Sequence, residues 1–454
     1  MIVMKFGGSS VGKPARMRGV AEIVRAALPR RPVVVVSALG GVTDQLISLA
    51  NDALAGHASV DALAKRHIAQ CQDLKLAPDL CAPFFFQLED LLRGISLVGE
   101  LTPRSLDHVM SFGERMSATI LAAHLTAAGM PAIALPGDEA GLLTDSEFGG
   151  ATPLPSTYKR IPARLKKVKG LPVITGYIAR DSHGNVTTLG RDGSDYSATI
   201  FGAALGAEEI QIWSDVDGVM TADPSVVPEA LPIDTLSFEE AGELAYYGAR
   251  VLHPASLQPA MERGIPVRVL NTLRPASKGT VVVREATGER GRPRSIAYKE
   301  DQFLITVVST RMFQHAGFMA RMFDVFHRHR VSVNQIATSE ISVSLTTDSD
   351  RNLTEAAAEL RKFATVTVAK AKTIVCVVGD GLREAPDVPA RVFGALVRAR
   401  VTPQVISQGA TRLSLTFLVD NAEIAPTVRA LHAEFFPAGE RRKAADRRKA
   451  RAAL

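Results

Sequence analysis

At 454 residues the chain is long enough for two or three domains with separate cores, and 46% hydrophobic with 22% charged residues is an ordinary globular balance. No apolar run approaches the roughly 20 residues needed to cross a bilayer, and the opening MIVMKF lacks a basic or apolar leader, so a cytoplasmic protein without a membrane partner is expected. The formal charge of +6 sits almost wholly in the tail 439–454, GERRKAADRRKARAAL; with a near-neutral body, nucleic acid is not an expected partner.

Residues 1 to about 285 alternate apolar β-rich runs with helical stretches. MIVMKF is the first strand and runs into KFGGSSVGKP, Lys5 to Pro14. Gly7 to Lys13 fits the spacing of a phosphate loop, but Pro14 stands where that motif needs a hydroxyl for Mg²⁺. The chemistry therefore points to a different design: Lys5 at a strand end, over a nest of backbone N–H groups at Gly7, Gly8 and Ser9. Pro14 then opens a helix, and Lys13 is left at the surface or helix entry.

VVVVS (33–37), PAIALP (131–136), PVITGYIA (172–179), EIQIWSD (209–215) and PVRVLNT (266–272) continue the strand series. Their near-continuous apolar character is what a parallel sheet covered on both faces requires. Helical stretches such as Ser111–Ala128 and Ser194–Leu205 lie between them, which predicts a three-layer α/β fold. Cys71 and Cys81 in this half, with Cys376 later, form neither a metal-ligand spacing nor an even disulfide framework.

Tyr177–Leu189 reads as a hairpin turning on Asp181-Ser182-His183-Gly184. TLGRDGSDYSATI (188–200) leads from it into a helix that Ser194 or Asp195 can cap. Acids in a phosphate setting, Asp192 and Asp195, point to a divalent metal or to a bond that orients a lysine. WSDVDGVMTADP (213–224) places Asp215, Asp217 and Asp223 after a strand, at the edge where α/β sheets bind ligands.

EATGERGRPR (285–294) loses apolar periodicity and marks a domain boundary. Beyond it, two segments share the order strand, loop, helix, strand, strand, helix: one from FLITVVST to LTEAAAELRKF, one from KTIVCVVGD to APTVRALHAEFF. The expectation is two small α+β (βαββαβ) sandwiches. The domain layout is then 1–285 catalytic, 286–370 linker and first small domain, 371–437 second small domain, and 438–454 basic tail.

KFGGSS (5–10), SFGERMS (111–117), TLGRDGSDYSA (188–198), WSDVDGVMTADP (213–224) and YGARVLHP (247–254) together resemble the motifs of the aspartokinases, within the amino-acid kinase superfamily. The C-terminal repeat resembles that family's paired ACT regulatory domains, so the resemblance covers nearly the whole chain. No further GxGxxG-bearing segment follows, which suits a monofunctional enzyme. The resemblance implies transfer of the γ-phosphoryl of ATP, carried with Mg²⁺, to the β-carboxylate of L-aspartate. A carboxylate nucleophile is already anionic at neutral pH and needs no general base, so catalysis is positioning plus charge relief.

By the same resemblance Lys5 neutralises the phosphoryl oxygens, Gly7, Gly8 and Ser9 cradle them, and Asp195 organises the lysine and the Mg²⁺ region; no protein metal ligand set is implied. Arg191 forks onto the substrate α-carboxylate, Glu114 pairs with its ammonium, and Ser37, Thr43, Tyr177 and Ser194 complete the pocket. Ser214 and Asp215 match the adenosine-contacting pair. Met220, Ser225 and Arg250 depart from the usual Tyr, Arg and Lys of that nucleotide side. The effector positions are Met312, Gly317, Phe318, Val333, Asn334, Thr338, Ser339 and Glu340. Asn334 replaces an acid used against a lysine ammonium, so lysine and threonine both stand as effectors, and Gln335 beside it suits a neutral ligand. Met319, Met322, Phe323 and Phe326 have helical spacing and read as core. A homodimer or higher oligomer through the ACT region is expected. The competing readings are a kinase with another acidic substrate, opposed by the Arg191/Glu114 pair, and a catalytically weak amino-acid sensor.

Overall fold

The computed structural model describes residues 1–248, 252–312, 316–409 and 412–437. Arg250 and the basic tail from 438 lie outside the described residues. In chain order the first part contains β1 (Ile2–Phe6), α1 (Gly8–Val11), α2 (Pro14–Ala27), β2 (Pro32–Val36), α3 (Val42–Leu54), α4 (Asp61–Asp73) and α5 (Ala82–Val98). Then follow α6 (Pro103–Ala127), β3 (Ala132–Leu135), α7 (Thr157–Leu165), β4 (Leu171–Thr175), β5 (Ile178–Arg180), β6 (Val186–Thr188) and α8 (Gly193–Leu205). The remainder is β7 (Glu209–Ser214), β8 (Thr235–Ser237), α9 (Phe238–Tyr246), α10 (Pro254–Arg263), β9 (Val267–Asn271) and β10 (Thr280–Val283).

The chain divides into two compact units: residues 1–219, 234–238 and 251–287 in one, and 220–233, 239–250 and 288–454 in the other. In the first, an eight-stranded sheet runs β3-β4-β2-β1-β7-β9-β10-β8. Every neighbouring pair is parallel except β9 with β10. β1 and β2 are buried at all five positions, as strands covered on both faces must be. One face packs on α2, α3, α5 and α6 through residues such as Met4, Phe6, Leu46, Leu88, Phe112 and Met116. The sequence foresaw a helix from Ser111; α6 instead begins at Pro103, with the Thr102 hydroxyl accepting from the Ser105 amide at 3.1 Å. That start carries the residues of an N-cap followed by Pro at N1, hidden from a periodicity reading because the first turn is polar.

The second unit adds β11 (Ser295–Val308), α11 (Phe318–Arg328), β12 (Ile336–Thr338), β13 (Ser342–Thr347), α12 (Leu353–Leu360) and β14 (Thr365–Val378). It ends with α13 (Asp387–Ala399), β15 (Ile406–Gln408), β16 (Ser414–Asp420) and α14 (Ile424–Phe435). Each repeat buries its own core, one around Met322, Phe326 and Leu345 and one around Val392, Phe417 and Leu431. Met322 and Phe326 are buried there, and Met319 and Phe323 pack against the same core.

The repeats are nested rather than strictly tandem. All strands of the unit form one antiparallel sheet, β12-β13-β11-β14-β16-β15. β11 and β14 are each 14 residues long and serve both repeats. The late part of β11, Phe303–Val308, pairs with β13 and with the start of β14, whereas its early part, Ser295–Lys299, pairs with Val378–Ile374 of the second repeat. The segment assigned to the linker therefore closes the second repeat's sheet. The sequence disguises this because both halves of β11 read as strand, and the irregular register at Lys299–Leu304, with Asp301 at φ 57°, has no hydrophobic signature.

Candidate active site

β1 delivers Lys5 to the C-terminal edge of the parallel sheet, paired with Val35 on one side and Ile212 on the other. Its ammonium reaches Asp195 Oδ1 at 2.5 Å, in the first turn of α8. Both residues are 8% exposed, so the charges are partly desolvated and their attraction is stronger than at a surface. A Cβ built on Gly7 lies 3.5 Å from Lys5 Nζ, which sets the ammonium directly over the glycine turn.

That turn is shaped by close approach. A Cβ at Gly8 meets the Ala38 carbonyl oxygen at 2.9 Å and Gly40 Cα at 3.2 Å, so only glycine lets α1 lie against the 38–40 loop. The cradle differs from the expectation in one respect. The Gly7 amide already donates to the Trp213 carbonyl at 3.2 Å, which leaves the anion-facing amides to Gly8 and Ser9. Pro14 occupies the first position of α2, and Lys13, exposed, precedes it as N-cap.

Glu114 comes from the middle of α6. A Cβ on its neighbour Gly113 meets Ala38 Cβ at 2.8 Å, so glycine there brings the helix close enough for Glu114 Oε1 to accept from the Ala38 amide at 3.1 Å. The carboxyl is 3% exposed and its Oε2 has no partner. Burial pushes its pKa up to about 8, against the opposing pull of the Ala38 amide and the Lys5 charge. A buried carboxyl with one free oxygen is a receptor for a cation: an arriving ammonium supplies the charge that burial withholds.

Ser37 and Thr43 flank the same loop, Ser37 held by its amide on the Phe6 carbonyl at 3.1 Å and Thr43 in the first turn of α3. Tyr177 follows β4 in the left-handed region, φ 67°. Its amide donates to Ser197 Oγ at 2.8 Å and its carbonyl accepts from the Leu189 amide at 3.0 Å, which fixes that unusual backbone. Its hydroxyl reaches Met110 Sδ at 3.5 Å, and burial raises the phenol to about 12. Ser194 is buried at the start of α8 and packs on Gly176. The N-cap position of α8 is Asp192, without a side-chain cap, so neither Ser194 nor Asp195 serves as the cap.

Arg191 is not gathered with the others. Its side chain is 85% exposed, and its one ion pair among the described residues is with the Asp192 carboxylate, at 3.8 Å. A bidentate hold on a carboxylate requires it to swing inward from this position.

On the side expected to take the nucleotide, Ser214 ends β7 and accepts the Thr272 amide on its carbonyl at 2.8 Å, while Asp215 is exposed beside it. Three residues that the motifs did not single out complete this edge. Asn271 Nδ2 donates to Asp217 at 2.7 Å, Arg274 also pairs with Asp217, and the Ser10 and Thr272 hydroxyls lie 2.6 Å apart. Asn271 and Thr272 end an apolar strand, where a polar pair was the available signal.

Met220 and Ser225 belong to the second unit. Met220, partly buried, packs against its core and accepts Ser295 Oγ on its carbonyl at 2.7 Å. Ser225 donates both its amide and its hydroxyl to Asp223 Oδ1, at 2.8 and 2.7 Å, and is spent on that turn.

Among the effector positions, Gly317 is the N-cap of α11 at φ 90°. Phe318, Met312 and Val333 lie in or against the first repeat's core, and Phe318 meets the Phe363 ring at 5.7 Å; Phe318 is thus a core residue. Thr338, Ser339 and Glu340 are exposed on and after β12. Asn334 donates to Gln302 Oε1 at 2.8 Å and receives the Tyr246 hydroxyl at 3.3 Å. Gln335 is buried and donates to Thr416 Oγ1 at 3.2 Å, while its Oε1 has no hydrogen-bond partner among the described residues.

The model of the amino acid kinase family matches residues 1–271, and that of the ACT domain matches 305–362 and 375–435. The chain is a kinase of the amino acid kinase family carrying paired ACT domains. It is 37% identical to aspartokinase 1, chloroplastic, of Arabidopsis thaliana, over 96% of this chain and 80% of that one. It is 34% identical to lysine-sensitive aspartokinase 3 of Escherichia coli, over 96% and 99%. The crystal structure of E. coli aspartokinase III with aspartate and ADP superposes with a TM-score of 0.81 at 32% identity, over 96% of this chain and 100% of that one. Within the class, the chain belongs to the aspartokinases. Among the described residues, no helix is long and apolar enough to cross a membrane.

Proposed function

We propose that the chain transfers the γ-phosphoryl group of ATP to the β-carboxylate of L-aspartate, with Lys5 as the residue that relieves charge on the moving group. The Lys5–Asp195 pair at 2.5 Å, at the sheet edge and beside Gly7, carries this reading. A carboxylate oxygen of aspartate attacks the γ-phosphorus, the bond to the bridging oxygen breaks, and the electron pair leaves with ADP; no proton moves. Lys5 offers a fixed positive charge to the equatorial oxygens, in a site where water is largely excluded. The Gly8 and Ser9 amides add uncharged donors.

Glu114 receives the substrate ammonium on its free Oε2, and Ser37 and Thr43 hold a substrate carboxylate. Arg191 turns inward to the α-carboxylate, and Tyr177 and Ser194 close the wall. Ser214, Asp215, Asn271 and Thr272 form the nucleotide edge. Mg²⁺ would arrive on the nucleotide phosphates, with Asp195, paired to Lys5, as the nearby oxygen donor. When bound, Mg²⁺ neutralises phosphate charge.

Regulation by a free amino acid at the ACT unit belongs to the same reading. Lysine is the first effector to test, since the E. coli relative is lysine-sensitive. Ile336 and Ile406, 40% and 47% exposed on the two outer strands of the sheet, suit pairing with a second copy. A cytoplasmic location belongs to the same reading. Purified protein with Mg-ATP and aspartate is expected to form an acyl phosphate trapped as a hydroxamate; ADP release without any trapped product overturns the reading.

A further inference from the structure

The first unit has a cavity of about 710 Å³ at the opposite end of the sheet from Lys5. Met1, Pro32, Val33, Leu171 and Pro172, which line it, stand at the starts of β1, β2 and β4. Its size falls within the roughly 300–1,000 Å³ of small-molecule sites. The floor is aliphatic, from Leu28, Val33, Met130, Leu165, Leu171 and Leu205. Leu28 is 40% exposed there.

The charged groups of the lining are all cations: the Met1 ammonium, Arg31 and Lys166. The ammonium is engaged by Glu208, which Arg30 also approaches. Arg31 and Lys166 are exposed; Arg31 feels the Glu208 charge without contacting it, and Lys166 forms no ion pair among the described residues. Lys167 and Lys169 continue the basic run beside Lys166 with no acid between them. Arg31 is held in place by a left-handed backbone, φ 51°, with its amide on the Leu28 carbonyl at 2.9 Å.

An aliphatic floor cannot satisfy the many polar atoms of a nucleotide or a free amino acid. A cationic rim repels cations and has no partner for a neutral hydrocarbon. The combination fits one chemistry. We propose that this cavity binds an amphiphilic organic anion, a medium-chain carboxylate, with its chain on the leucine floor and its head between Arg31 and Lys166. The site is separate from the phosphoryl-transfer machinery and does not depend on it.

The test is calorimetric titration of the full chain with decanoate below its micelle concentration. Affinity is expected to rise from octanoate to decanoate, by up to about fourfold per added methylene. Acetate, which lacks the chain, and decyltrimethylammonium, which inverts the head charge, are expected not to bind. The double variant Arg31→Glu/Lys166→Glu is expected to lose at least about tenfold in decanoate affinity, and Ala204→Trp, which fills the cavity, to do the same. Both keep basal turnover with ATP and aspartate, which shows that the fold survives. Equal binding of the cationic amphiphile, or undiminished decanoate binding by both variants, overturns the proposal. So does sedimentation showing a second copy of the chain on this face, with association lost in the charge-reversed variant and no uptake of decanoate.

Discussion

The end of β1 and the outer strand β12 both present side chains assigned to small-molecule recognition, yet they are built in opposite ways. Lys5 is 8% exposed, flanked by buried parallel strands and paired to an acid of the next layer. β12 is three residues long and alternates exposed and half-buried positions, with Ile336 40% exposed and Ile341 just beyond it 47% exposed. The first region is finished within one chain: its charges are placed and its water is largely removed, as electrostatic catalysis requires. The second presents apolar surface at a sheet edge, which suits the proposed pairing with another copy. Preorganisation and incompleteness are two designs for two tasks, and each fails differently when altered.

The largest effect is expected at Lys5. Lys5→Ala removes the charge over the proposed phosphoryl site and is expected to lower turnover by about 10²–10³-fold or more. It also strands Asp195, nearly buried, without its partner, at a cost of order 3 kcal/mol in stability. The double variant Lys5→Ala/Asp195→Asn separates the two: thermal melting recovers while turnover does not. Turnover that returned with stability would make Lys5 a structural residue. Lys13→Ala, changed at the exposed helix entry, leaves turnover unchanged.

Next comes Glu114. Its pKa is near 8 when folded, against the ordinary 4.5, so the folded chain binds more protons than the unfolded chain between those values. Stability without substrate is therefore highest below about pH 4.5 as far as this group is concerned, and falls as pH rises toward 8. Glu114→Gln is expected to remove that slope from a series of melting curves. The same variant should raise the KM for aspartate by about 10–100-fold, the worth of a charged hydrogen bond, with a smaller change in the KM for ATP. A flat stability profile in the unaltered protein would show that Glu114 is ionised before the ammonium arrives.

At the open edge the effect is on assembly. Ile336→Lys places a charge on the outer strand and is expected to shift the sedimentation profile toward the monomer while the isolated chain keeps its melting temperature. An unchanged profile would move the oligomer interface away from β12.

How far each region could be read in advance follows from the same contrast. The parallel strands were legible because burial on both faces leaves an unbroken apolar run, and Lys5, Glu114 and Asp195 were legible through local motifs. What stayed hidden was set by distant contacts. The tie of the Gly7 amide to Trp213, the approach of Gly113 to Ala38 that admits Glu114, and the division of β11 between two repeats depend on residues far apart in the chain. The burial of Phe318 against Phe363 and of Gln335 against Thr416 is likewise set by tertiary packing. Asn271 and Arg274 lay outside every motif, and only the adjacency of β7 and β9 brings them to Asp217.

The smallest expected effect is the most discriminating for regulation. Asn334 stands at the head of the exposed segment, and its amide is already committed to Gln302 and Tyr246. Asn334→Asp turns the donor toward Gln302 into an acceptor, which the Gln302 amide accommodates by rotating. It also adds a negative charge beside Asp348, which Lys299 compensates at 2.9 Å. Because the site is half exposed, the added charge is worth about 1 kcal/mol to a bound ammonium, so half-maximal inhibition by lysine should fall by about three- to tenfold. Threonine, whose side chain carries no charge, should inhibit as before. If lysine inhibition does not move, Asn334 works as a strut between β11 and α9, and recognition of the effector falls to the exposed Thr338, Ser339 and Glu340.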